Sequence, residues 1–402
     1  MPPSTLSGSI PAAARAQGPL AGAGHAEGAE AGAEAVRQAV AGLNGGRPSL
    51  VLAFPDGGLE ASEQLEQAQA HSAGAPVAGM TAGGAIGGTG PLDRGCSALA
   101  FGGELDAAVG LVTRASRNLK AAGRAAAEAA MRKLGEADGA HLLLALFLEN
   151  SSGDQSDAVA GAYEAVGPAV PLVGGAAGGD SPWQLAEGQP LWDCVVAVLL
   201  RSANPIGVGH AHGCSPCAGP SVVTRADGRT LVQLDGLPAE TVYLAKLGRS
   251  GERLSADEFA RVAAAHPLAQ PPLSGDVRLR QVLRQGPEGG LVCATDIPVN
   301  SAIEFTEQSP ETIVRSTWTA VSDALAPLDG RPARAALVFD CAGRRSVLGG
   351  PGESLDAEAA ALRASFGQSL PPLAGLYSRG EVGRVRGAKG DRSHTVVVAA
   401  FA

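Results

Sequence analysis

The chain has 402 residues, with 31 Lys and Arg against 40 Asp and Glu for a net charge of −9. A field of that sign repels nucleic-acid phosphate, and no Lys/Arg block reverses it locally, so nonspecific binding of DNA or RNA is excluded. The length suits two or three domains, and 45% hydrophobic content with 56 Gly, 3 Trp, 3 Tyr and 8 Phe calls for an interior built from Ala, Val and Leu.

No apolar run approaches the roughly 18 residues of a membrane span. The opening residues lack the basic and apolar blocks of a signal peptide, and the 6 Cys are too dispersed for a secreted disulfide framework. The expected location is the cytoplasm, without a membrane partner. Residues 1–26 are low-complexity Ala, Gly, Pro and Ser and read as a disordered arm.

From there one unit recurs. Its first copy runs from Ser49-Leu-Val-Leu-Ala-Phe54 through Pro76-Val-Ala-Gly79 to Cys96-Ser-Ala-Leu-Ala-Phe101. The second runs from His141-Leu-Leu-Leu-Ala-Leu-Phe147 through Pro171-Leu-Val-Gly174 to Cys194-Val-Val-Ala-Val-Leu-Leu200, and the third from Ala335-Ala-Leu-Val-Phe339 through Pro372-Leu-Ala-Gly375 to Thr395-Val-Val-Val-Ala-Ala-Phe401. Each Pro-x-x-Gly is followed, after four variable residues, by another Gly: Gly84, Gly179 and Gly380.

Helical periodicity precedes each first strand, at 29–43, 121–134 and 311–325, and follows it at 62–73, 158–166 and 355–366. Strands that are apolar throughout imply sheets covered on both faces, hence an α/β fold of mixed sheets covered by helices. Residues 202–310 break the pattern. There Ser221 to Arg225 and Thr230 to Leu234 flank an Asp227-Gly228 turn, a hairpin signal, with further strands at 277–282, 291–295 and 302–306 and a positive-φ turn at Asn300. The expected organisation is an arm, an N-terminal domain over 27–204 holding two copies, and a C-terminal domain over 205–402 holding the hairpin insert and the third.

Leu234-Asp-Gly-Leu-Pro238-Ala239 with Tyr243, Cys341-Ala-Gly-Arg344, and Gly375-Leu-Tyr377-Ser-Arg-Gly380-Glu381 resemble motifs of FIST proteins, the F-box and intracellular signal transduction family. The resemblance covers nearly the whole chain from about Ser49, without an F-box. It implies an intracellular sensory module that binds a small ligand such as an amino acid; with no kinase, cyclase or receiver motif read in the chain, the expected output is a signalling partner in trans. It also implies a kinship with haem-based nitric-oxide sensors.

The candidate ligand site is built from Gly79, Gly174, Gly375 and Gly380, whose backbones can approach a ligand closely, and from Asp180, Cys341, Arg344, Tyr377 and Glu381. Tyr377 and Glu381 suit an ammonium or amide, and Arg344 a carboxylate. Ala85, Asp180 and Glu381 read as equivalent positions. The readings against a site are glycines that permit tight packing and a Glu381 paired with a nearby Arg.

His210, His212, Cys214 and Cys217 form the densest set of soft ligands. Tetrahedral zinc, a redox pair, haem ligated by His210 or His212, and a plain Gly-Pro turn all remain open for it. Cys341 beside Arg344 and Arg345 reads as a core residue or as a favoured thiolate, with His394 a base for a thiol enzyme. Elsewhere the sequence lacks nucleophile-elbow and phosphate-loop motifs, so the expected protein is non-catalytic and without a resident cofactor.

Overall fold

A computed structural model describes residues 19–92, 94–136, 140–149, 155–178, 182–271, 277–349, 352–367, 369–385 and 390–402. The first unit comprises β1 (Ala21–Glu27), α1 (Ala31–Ala41), β2 (Pro48–Pro55), α2 (Ala61–His71), β3 (Val77–Met80), β4 (Ala85–Gly87), β5 (Gly90–Leu92) and β6 (Gly95–Gly102). The second repeats it as β7 (Leu105–Thr113), α3 (Leu119–Leu134), β8 (His141–Leu148), α4 (Ser156–Val166), β9 (Leu172–Ala176), β10 (Gln184–Ala186), β11 (Gln189–Leu191) and β12 (Cys194–Ser202).

The third opens with β13 (Ile206–Ala211) and is interrupted by the insert: β14 (Ser215–Asp227), β15 (Thr230–Leu234), β16 (Leu237–Pro238), α5 (Ala239–Lys246), α6 (Ala256–Ala265), β17 (Leu268–Gln270), β18 (Arg278–Arg280), β19 (Val282–Gln285), β20 (Leu291–Cys293) and β21 (Ala302–Glu307). It resumes as α7 (Pro310–Leu325), β22 (Ala335–Cys341), α8 (Ala342–Leu348), α9 (Glu353–Ser365), β23 (Leu373–Ser378), β24 (Glu381–Arg384), β25 (Asp391–Arg392) and β26 (Val396–Phe401).

The units share a pairing scheme down to the residue. The first strand runs parallel to the glycine strand with Ala53 opposite Gly79, Leu146 opposite Gly174 and Val338 opposite Gly375. It runs antiparallel to the closing strand with Ala53 opposite Ala98, Leu146 opposite Ala197 and Val338 opposite Val398. Each hairpin leaves its own unit and extends a neighbour's sheet: β4 pairs with β23, β10 with β3, and β24 with β9.

The three sheets enclose one apolar core. At its centre Phe54, Phe147 and Phe339, one from each unit, form a triangle with ring centroids 5.8, 6.1 and 6.4 Å apart. Helices cover the outer faces, so both sides of each strand are buried, as their apolar runs require. The expected boundary after residue 204 falls where the third unit starts, but the halves on either side share this core and exchange strands.

Residues 21–26, expected in a disordered arm, instead lie in β1; residues 1–18 lie outside the described set. The counterparts of β1, β7 and β13 were absent from the expected unit. Gly24, Gly110 and Gly209 explain them: a Cβ at these positions would stand 2.0, 2.0 and 2.1 Å from a carbonyl of the covering helix. These strands are Gly- and Ala-rich because the helix packs directly on their backbone.

The insert forms a curled sheet in the order β18, β17, β21, β14, β15, β20, β19, with β16 beside β15. Its two ends are consecutive in the chain, joined through Gln281. The Asp227-Gly228 hairpin and the positive φ of Asn300 (65°) are present as read. Asp391 of β25 holds the insert to the third unit through Arg278 and Arg280 of β18. No helix among the described residues is long and apolar enough to cross a membrane.

Candidate functional site

Beyond the Phe triangle the three glycine segments turn into one another. Gly83 N–H donates to the Tyr377 carbonyl (2.7 Å), Gly178 N–H to that of Thr81 (3.0 Å) and Arg379 N–H to that of Ala176 (3.0 Å), a ring of equivalent bonds. A Cβ at Gly79, Gly174 or Gly375 would stand 1.9, 2.0 or 2.8 Å from the carbonyl of the residue opposite it. These glycines therefore serve close strand packing. Gly380, at φ 126°, accepts from Ala176 N–H and makes the turn into β24.

The strand registers also fix the counterparts of Glu381. Glu381 lies opposite Gly175, Ala85 opposite Leu376 and Gln184 opposite Met80. Gln184 thus takes the place expected for Asp180, because the second unit's loop is longer; Asp180 itself lies outside the described residues.

In the third unit a polar cluster is buried behind the ring. Arg344 has no exposed surface and is spent on internal partners: Asp340 Oδ1 at 2.6 Å, Glu358 Oε1 at 2.6 Å, Ser316 Oγ at 2.7 Å, Thr317 Oγ1 at 3.0 Å and the His212 carbonyl at 3.4 Å. A ligand carboxylate would have to displace a buried ion pair, so the expected role of Arg344 as a carboxylate clamp is replaced by a structural one. Burial pushes the Asp340 carboxyl up even with Arg344 against it, and the nearby Glu358 adds to that. Tyr377 is likewise buried, with the Arg345 guanidinium 4.9 Å above its ring.

Glu381 accepts from Ser378 Oγ at 2.9 Å, from Thr395 N–H at 3.3 Å and from the Cys341 thiol, and among the described residues no Arg forms an ion pair with it. Burial raises its carboxyl to about 8. The Cys341 thiol is pushed well above its ordinary range, first by burial and then by Glu381. These surroundings do not favour a thiolate at Cys341, because desolvation and the carboxyls of Glu381 and Asp340 all oppose the charged form, against only backbone N–H groups of Gly343 and His394. His394 is buried at φ 52°; its Nδ1 lies 2.6 Å from Gln308 Nε2, and among the described residues its Nε2 has no hydrogen-bond partner.

In front of this cluster lies a cleft of about 370 Å³ between β13, the first turns of α7, and β25, with Val277 of the insert at its edge. His210, His212, Arg315 and Arg392 supply the nitrogens of its wall, and its lining among the described residues holds no carboxylate. Arg392 Nη2 lies 3.2 Å from His210 Nε2, while its Nε donates to the Gly383 carbonyl at 2.9 Å. Ser316 and Thr395 form the floor, and each is held from behind, Ser316 by Arg344 and the Thr395 backbone by Glu381.

His210 and His212 line this cleft, but the four soft ligands do not converge. Cys214 N–H donates to His212 Nδ1 at 3.0 Å, the Cys214 thiol reaches Gln308 Oε1 at 3.4 Å, and Cys217 is exposed on β14. Among the described residues no group of three or more His, Cys, Asp or Glu is placed to hold a metal ion. Burial lifts the Cys214 thiol to about 12. The sequence reading missed Arg315 and Arg392; the Asp391-Arg392 pair just before a buried strand was the available signal.

Residues 49–237 match the FIST N domain and residues 239–384 the FIST C domain. An uncharacterized protein of Mycobacterium bovis is 29% identical over 215 residues, covering 52% of this chain and 53% of that protein. One of Mycobacterium tuberculosis is 28% identical over 212 residues, with the same coverage. The chain thus spans about half the length of the curated relatives it matches. Among solved structures, cyanuric acid hydrolase from A. caulinodans aligns over 95% of this chain and 99% of its own, at 12% identity and a TM-score of 0.38.

Proposed function

The chain belongs to the FIST family, and we propose that it is a non-catalytic, cytoplasmic sensory protein that binds a small ligand in the cleft before His210 and signals through a partner in trans. The observation that carries this reading is the cleft itself. It is of small-molecule size, at the lower end of the roughly 300–1,000 Å³ typical of such sites. It also joins the third unit to the insert, with β13, α7 and β25 on one side and Val277 on the other.

A ligand touching both sides favours one arrangement of insert and core, a population shift that a partner can read. Arg344 and Glu381 are then positioning residues, setting Ser316 and the Thr395 backbone from behind. An amino acid is one ligand of suitable size.

Native mass spectrometry of protein purified from its own host tests the reading, with the released molecule titrated back by calorimetry. A retained small molecule that rebinds and protects β18 from hydrogen exchange supports it. A bare chain whose β18 exchange responds to no metabolite would overturn it. The haem alternative, with His210 or His212 as axial ligand, predicts a Soret band in the same preparation.

A further inference from the structure

We infer that Asp340 and Glu358 hold one proton between them, carried by the Asp340 carboxyl and donated to Glu358, and that this proton latches α9 to the end of β22. Charge makes the first demand. Both acids lie on one guanidinium, with Arg344 Nε 2.6 Å from Asp340 Oδ1 and Nη2 2.6 Å from Glu358 Oε1. The Asp340, Glu358 and Arg344 side chains are only 4%, 5% and 0% exposed, and among the described residues no other cation pairs with either acid. Two carboxylates would leave a surplus negative charge out of water, which is costly without a second cation.

Hydrogen bonding makes the same demand. Asp340 Oδ1 accepts from Arg344 Nε and from the Cys341 N–H at 2.7 Å, and Glu358 Oε1 from Arg344 Nη2 and the Thr317 hydroxyl at 3.1 Å. Glu358 Oε2 is buried and receives no N–H or hydroxyl. The Asp340 carboxyl is within hydrogen-bonding reach of Glu358. A proton on Asp340 gives Oε2 its donor and removes the surplus charge together.

The groups packed around the pair leave this proton in place. Burial keeps Cys341 and Tyr377 of β23 protonated and neutral, and Arg345 of α8 is directed to the Gly83 carbonyl at 2.8 Å and over the Tyr377 ring. From α7 come the hydroxyls of Ser316 and Thr317, and beyond Arg344 lie His212, Cys214, Glu381 of β24 and the neutral His394. Glu358 stands on α9 and Asp340 on β22, while the same guanidinium holds Ser316 in the cleft floor and the His212 carbonyl. The latch therefore sits directly behind the cleft, whatever the cleft binds.

Opening of α9 returns both acids to water, where the proton is shed. A proton held by the closed form and lost by the open one makes opening easier as pH rises, about tenfold per pH unit, until the closed form loses it too.

The test uses the full-length protein labelled with ¹³C at the aspartate side-chain carboxyls. At neutral pH its infrared spectrum should contain a protonated-carboxyl C=O band that shifts with the label, persists in Glu381→Gln and disappears in Asp340→Asn. Hydrogen exchange of the α9 amides, corrected for the intrinsic base-catalysed rate, should lose protection about tenfold per pH unit from about pH 5 upward. Asp340→Asn, whose amide donates to Glu358 without titrating, should show flat protection over the same range, and Glu381→Gln the wild-type slope. A labelled wild type without the band overturns the shared proton, even where Asp340→Asn fails to fold, and so does a band that survives in Asp340→Asn. The band together with α9 protection indifferent to pH overturns the latch.

Discussion

Gln308 Nε2 lies 2.6 Å from His394 Nδ1, and the same amide takes the Cys214 thiol proton on Oε1 while Nε2 also donates to the Ala264 carbonyl. This orientation fixes the neutral imidazole with its proton on Nε2, which has no acceptor among the described residues. An imidazolium would set Nδ1–H against an amide N–H. Burial, with Arg344 and His212 nearby, accordingly lowers His394 to about 3 from 6.5.

A depressed folded value means that the unfolded chain binds the proton first. His394 therefore contributes stability that is full above about pH 6.5 and is lost as pH falls toward 3. Gln308→Glu, which offers Nδ1–H an acceptor, should make urea stability flatter between pH 4 and 7, by about 2–4 kcal/mol. An unchanged slope would refute the tautomer assignment.

Glu381 has the opposite sign. Its folded value of about 8 lies above the ordinary 4.5, so its contribution is full below 4.5 and is lost as pH rises through 8. Glu381→Gln stays neutral throughout. Wild-type stability relative to this variant should fall by about 3–5 kcal/mol between pH 5 and 9, as read from denaturant midpoints at each pH.

Arg344→Met would leave Asp340 and Glu358 buried without their cation, at a cost of about 3–5 kcal/mol. A double variant, Arg344→Met with Glu358→Gln, should recover part of that loss at neutral pH, because one buried charge goes with it. Chemical denaturation of both proteins checks the coupling.

Gly79→Ala and Gly174→Ala should each destabilise by about 3 kcal/mol or more, since the new methyl must push back a strand carbonyl. Gly375→Ala, with 0.8 Å more room than Gly174, should cost less. Gly219→Ala, with nothing within 4 Å, should lie within about 0.5 kcal/mol of wild type. Equal effects at all four would contradict the packing role.

The parts of the fold that announce themselves in the sequence are those where one chain segment carries its own pattern. Val338, Leu146 and their neighbours make apolar runs, α1, α3 and α7 are periodic, and Asp227-Gly228 can hardly be anything but a turn. β1 escaped notice because Ala21–Glu27 has only small side chains facing α1, and nothing in its local propensity marks a strand. Which sheet a hairpin joins is decided by tertiary contact, so the exchange of β4, β10 and β24 left no local trace. In the site, Arg344, Tyr377 and Glu381 were found as residue types but not as buried ones. The acid that occupies Arg344 stood four residues before it at Asp340, and the second, Glu358, is on another helix. Arg315 and Arg392 went unremarked in the sequence, because only the fold brings them to one cleft.

The exchanged hairpins also govern the order in which the molecule can be completed. While the chain emerges from the ribosome, the second unit's sheet has β9 at an open edge, and the strand that covers it, β24, is translated some two hundred residues later. Until then the unpaired N–H and C=O groups of β9 invite the wrong partners. Refolding should therefore be slow and limited by this non-local closure. A fragment ending at the family boundary near residue 237 should keep its helices yet associate through β9.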